Sequence, residues 1–60
     1  MKKLWYAVLR DEGDTDWGTG SYDLGEAKQM ATGMGADAYI AVIEEGSDPI
    51  CVEEIKQEEF

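Results

Sequence analysis

Two segments of this chain are apolar on both of their alternating faces, and that limits the folds open to it. In Lys3 to Arg10, Leu4, Tyr6 and Val8 fall on one side of a strand, and Trp5, Ala7 and Leu9 on the other. In Ala38 to Glu44, Ile40 and Val42 share one face, and Tyr39, Ala41 and Ile43 the other. Strands that read this way are covered on two sides. A third strand, Ile50 to Ile55, follows the turn Glu45-Gly46-Ser47-Asp48-Pro49, whose glycine and proline favour a hairpin. Its Glu53 and Glu54 suit a sheet edge.

One helix is legible, over Leu24 to Met34. Leu24, Ala27, Ala31 and Met34 form an apolar stripe with Met30 on its flank. Asp23 ahead of it and Glu26 three residues on have capping-box spacing, and Gly35 fits the C-terminal cap. Tyr22 is placed to pack over Ala27. The expected architecture is a single α+β domain over residues 1–60 in the order β-α-β-β. A right-handed crossover lays the helix on one face of a three-stranded sheet. One helix cannot cover both faces, so a homo-oligomer, a dimer or larger, joined through the sheet is expected.

Size sharpens that expectation. Sixty residues bury only about 60% of the unfolded surface. Small domains commonly add a disulfide or a metal, but Cys51 is the only cysteine and histidine is absent. A Cys/His zinc site and a Ser-His-Asp mechanism are thereby excluded. A lone thiol points to a reducing, cytoplasmic setting. Met1-Lys2-Lys3 begins like a signal peptide, but the apolar run ends at Arg10 and Asp11, so neither a leader nor a membrane span is expected.

The formal charge is −9, from 14 acids and 5 bases. Residues 11–26 carry six acids and no base, and residues 44–60 carry seven acids and one base. Such a surface repels phosphate backbones and steers toward basic partners. Stable nucleic-acid binding is not expected; binding to a basic, nucleic-acid-binding protein is. Solubility is the plainer use of the same charge.

Asp11 to Tyr22 reads as a loop of about twelve residues, longer than is usual in so small a domain. Trp17 within it either folds back as a lid on the core or stands out as a contact anchor. With Glu12, Glu44 and Glu45 it makes the candidate interaction set. Gly18-Thr19-Gly20-Ser21 lacks the nearby base of a phosphate cradle. Asp11, Asp14 and Asp16, with Glu12, offer oxygen ligands for a hard cation. They fail the calcium-loop template, because Gly18 and Gly25 fall where ligands are needed. Mg²⁺ is the cofactor if these acids cut phosphodiesters, and none is needed otherwise. Solvated loop charge is the plainer alternative.

The runs Asp16-Trp17-Gly18-Thr19-Gly20-Ser21-Tyr22-Asp23-Leu24 and Ala38-Tyr39-Ile40-Ala41-Val42-Ile43-Glu44-Glu45-Gly46 resemble small acidic proteins of clostridial bacteria and their prophages. Some proteins of this kind are anti-CRISPR proteins, including inhibitors of RNA-guided DNA nucleases. For one such group an aspartate-dependent DNA-nicking activity has been proposed. The resemblance implies a CRISPR effector as partner, and Asp14 as the catalytic acid if the chain nicks DNA. Three functions follow as expectations: an acidic inhibitor that acts by binding, a metal-dependent nicking nuclease, or a regulatory or structural partner with no defence role.

Overall fold

The computed structural model describes residues 3–10 and 16–60. Its elements are β1 (Leu4–Leu9), β2 (Gly20–Ser21), α1 (Leu24–Met34), β3 (Tyr39–Glu44), β4 (Ile50–Ile55) and a 3₁₀ turn, Gln57–Glu59. Among the described residues this is a small α+β domain, one helix on a four-stranded antiparallel sheet ordered β2-β1-β3-β4.

The expected three-strand sheet is therefore short by one. Gly20 and Ser21, read as loop, pair with Ala7 and Tyr6. The amide of Val8 also donates to the Thr19 carbonyl at 2.8 Å. Two residues are too few to show a period, and glycine in a strand commonly marks a close backbone approach. Here it does: a Cβ on Gly20 would lie 2.2 Å from the Tyr6 carbonyl oxygen. The crossover changes accordingly. β1 is antiparallel to β3, from Leu4 opposite Glu44 to Leu9 opposite Tyr39. The helix instead links β2 to β3, which run in the same direction on either side of β1.

Both faces of β1 and β3 are buried, in the alternation their sequences predict. Val8, Ile40 and Val42 pack with Ala27, Ala31 and Ala38 under the helix, and Tyr6, Leu24, Met30, Met34 and Ile55 close that cluster. Ile40 is fully buried, and burying such a side chain stabilises by about 1.5–3 kcal/mol. The two fully buried alanines let the helix lie close to the sheet.

On the other face Ala7, Leu9, Tyr39, Ala41 and Ile43 form a second cluster, with Trp5 and Trp17 packed against it. These five are buried within a single chain. The expected need for a second copy to cover this face is met from inside the molecule. β4 lies at the sheet edge, as its Glu53 and Glu54 suggest. It pairs antiparallel with β3 through an irregularity at Val42/Ile43, and only Ile55 along it is half-buried.

Asp23 caps the helix, its carboxylate accepting from the Gly25 amide at 3.2 Å. The expected reciprocal bond from Glu26 is replaced: the Asp23 amide donates to Ser21 Oγ at 3.0 Å. At the other end Gly35 takes φ 136° and ψ 171°, an extended backbone at positive φ rather than the left-handed helical cap expected. The last carbonyls of a helix need outside donors, and the tail supplies one. Gln57 Nε2 lies within hydrogen-bond reach of the carbonyls of Ala31, Gly35 and Ala38, among which its two protons are shared. The segment after β4 is thus docked on the helix end.

Candidate functional site

The most chemically distinctive surface lies where the helix-free face of β1 meets the turn before β2. Trp5 leaves β1 on that face, and its indole N–H donates to the Trp17 carbonyl at 2.7 Å. The next residue is held too, the Gly18 amide donating to Asp16 Oδ1 at 3.2 Å. These bonds fix the Trp17 backbone while its ring packs on the second cluster. Between β2 and α1, Tyr22 is 49% exposed. Its ring centroid lies 4.7 Å from that of Trp5 at 73°, the edge-to-face arrangement that aromatic quadrupoles favour. Tyr22 was expected to staple Ala27; it builds an aromatic corner with Trp5.

Glu45 completes the corner. Its amide donates to the Lys3 carbonyl at 2.9 Å, tying the end of β3 to the start of β1. Its carboxylate accepts from the Tyr22 hydroxyl, with Oε1 at 3.0 Å and Oε2 at 3.1 Å. That hydrogen bond raises the Tyr22 pKa above its ordinary value, with desolvation and the Glu45 charge adding to the shift. The result is an open cleft of about 330 Å³ lined by Trp5, Trp17, Tyr22, Ile43, Glu45 and Pro49.

Of the expected interaction residues, Trp17 and Glu45 come together in this cleft. Trp17 folds back on the core, the first of the two roles foreseen for it, and also lines the cleft. Glu44 is half-buried at the end of β3 opposite Leu4 and does not line the cleft. Trp5 and Tyr22, read only as a strand residue and a helix staple, were not among the expected interaction residues. The signal available was weak: Trp5 shares its strand face with Ala7 and Leu9, and an indole there needs a partner for its N–H.

Asp11, Glu12 and Asp14 lie outside the described residues. Asp16, the remaining expected metal ligand, is exposed. Among the described residues no three His, Cys, Asp or Glu side chains group to hold a metal ion. Cys51 is exposed, its Sγ 3.4 Å from the Glu53 carbonyl. No helix among the described residues is long and apolar enough to cross a membrane.

Lys3, Lys28 and Lys56 each place Nζ over an aromatic ring. The partners are Tyr22 at 4.4 Å, Phe60 at 5.8 Å and Tyr39 at 4.5 Å from the ring centroid. The acids are arranged differently. Asp48, Glu53, Glu54, Glu58 and Glu59 are all exposed, along β4 and the turns at its ends. Comparison of the chain with protein-family models, with curated proteins and with solved structures returned no match.

Proposed function

We propose that this chain is a small acidic interaction protein that occupies the basic surface of a nucleic-acid-binding protein. The partner its sequence resemblance suggests is an RNA-guided DNA nuclease, which it would inhibit as anti-CRISPR proteins do. The observation that carries this reading is the arrangement of charge: exposed acids along β4, with the lysines of the described residues folded onto rings of the same chain. Such a surface attracts basic proteins and repels DNA directly.

This reading calls for no cofactor and places the protein in the cytoplasm with its partner. It includes self-association through the sheet, now assigned to the β4 edge, where Ile50 and Val52 are 52% and 49% exposed. An unpaired strand edge with apolar side chains is a ready template for a second strand.

Binding to a guide-loaded RNA-guided nuclease, followed at rising salt, tests the proposal. The expected result is an association rate that falls steeply with ionic strength, with no stable binding to free duplex DNA. Plasmid nicking that requires Mg²⁺ and disappears in Asp14→Ala would overturn it in favour of the nuclease.

A further inference from the structure

We propose that the cleft between Trp17, Trp5 and Tyr22 is a receptor for one arginine side chain of the protein partner. This rests on the interaction reading above and names the chemistry at its centre. The volume, about 330 Å³, is at the lower end of the roughly 300–1,000 Å³ of ligand pockets. That suits a single side chain.

The walls select its character. Indole and phenol rings set nearly at right angles give a flat cation one face to stack on and a second ring beside it. Tyr22 already accepts a cation, for Lys3 Nζ sits 4.4 Å from its centroid, and Lys3 does not line the cleft. Glu45 stands at the same corner, held by the Tyr22 hydroxyl. One phenolic proton leaves a carboxylate with further acceptor capacity. Anionic ligands are repelled there, and a purely apolar ligand would strip water from Glu45 with no compensating bond. A guanidinium meets both demands, because it is planar, stacks on rings and donates in a fixed fork to carboxylates. An ammonium is compact and strongly hydrated.

A second cleft, beside the tail, does not share this chemistry. It carries Asp37, Lys56 and Glu58 together, and the Tyr39 ring next to them is covered by Lys56.

The test is an NMR titration of the full chain with a blocked tri-arginine peptide, a tri-lysine peptide and an arginine-free proline-rich peptide. The indole N–H resonances of Trp5 and Trp17 are the reporters. Tri-arginine should shift both saturably and bind at least about fivefold more tightly than tri-lysine. Glu45→Gln, which keeps side-chain shape, and Trp17→Leu should each weaken it about fivefold or more. Equal binding of the arginine and lysine peptides overturns the assignment, as does binding untouched by Glu45→Gln. A proline-rich peptide that shifts the indoles more strongly overturns it in favour of an extended-peptide groove. Salt-dependent nuclease binding with indoles unmoved by tri-arginine removes the arginine cleft and leaves the acidic interaction reading. Arginine-selective shifts without nuclease binding do the reverse.

Discussion

The indole N–H of Trp5 donates to the main-chain carbonyl of Trp17 at 2.7 Å, joining residues twelve positions apart in sequence. It is a side-chain bond to backbone, so it fixes where Trp17 starts without dictating where its ring ends. A half-buried indole without an acceptor would cost about 1–3 kcal/mol. The bond therefore holds the end of the acidic loop against β1 and leaves one ring to serve as both core lid and cleft wall.

Alanine at two glycine positions should act in opposite directions. At Gly20 the new Cβ would meet the Tyr6 carbonyl oxygen at 2.2 Å and the Ala7 Cα at 2.8 Å. Gly20→Ala should destabilise by more than about 1 kcal/mol by pushing β2 off the sheet. Gly33 lies within the helix with open space around it, so Gly33→Ala should stabilise by about 0.5–1 kcal/mol. Urea midpoints of the two variants, displaced to opposite sides of the parent, would bear this out; movement in one direction would not.

The two ends of the helix should respond to different residues. Asp23→Ala should cost about 0.5–2 kcal/mol, while Glu26→Gln should change little, because the Asp23 amide is satisfied by Ser21. Gln57→Leu should cost about 1–3 kcal/mol by stranding carbonyls of Ala31, Gly35 and Ala38. A thermal midpoint unmoved by Gln57→Leu would show that the tail does not hold the helix end.

Much of this was legible in the chain, and most of the misses share a cause. β1, β3, β4, the faces of β1 and β3 and the span of the helix follow from periodicity and flanking residues, which are local. The β2 pairing, the Gln57 bonds and the Tyr22–Glu45 bond join residues far apart in sequence, and nothing near Gly20 or Gln57 names its partner. The same holds for the cleft. Trp17 and Glu45 stood out as an aromatic in an acidic loop and the first acid of a turn, but their meeting depends on the pairing of β1 with β3.

Tyr22 should give the molecule a stability change in alkali. Its hydrogen bond to Glu45 favours the neutral phenol and raises the folded-state pKa above the ordinary value near 10. The resulting contribution is complete below the unfolded pKa and is lost as pH rises through the higher folded value. Ring resonances of Tyr22 should titrate later than those of a free tyrosine and move back toward the ordinary value in Glu45→Gln. An unchanged titration would mean that the bond is not kept in solution.

Self-association should depend on the β4 edge. Ile50→Lys combined with Val52→Lys should reduce the mass seen by light scattering to that of a 6.7 kDa monomer, since charge blocks edge pairing. A parent protein already monomeric at micromolar concentration would sink the dimer.

The position of β1 also governs the order in which this domain assembles. β3 and β4 are joined by a short turn, with Glu44 opposite Ile50, and hairpins of this kind close in about 1–10 μs. β1 pairs with β3 across most of the chain, residue 9 against 39 and residue 4 against 44. It must therefore close a long loop before it gains its contacts with β3. The C-terminal half thus forms a template on which β1, one of the two central strands, docks late. Leu9→Ala should then act mainly by speeding unfolding in stopped-flow traces, and a mainly slowed folding arm would place β1 in the nucleus instead. Until β1 arrives, Tyr39, Ala41 and Ile43 lack the neighbours that bury them, so the chain's most aggregation-prone moment falls between hairpin closure and the docking of its first strand.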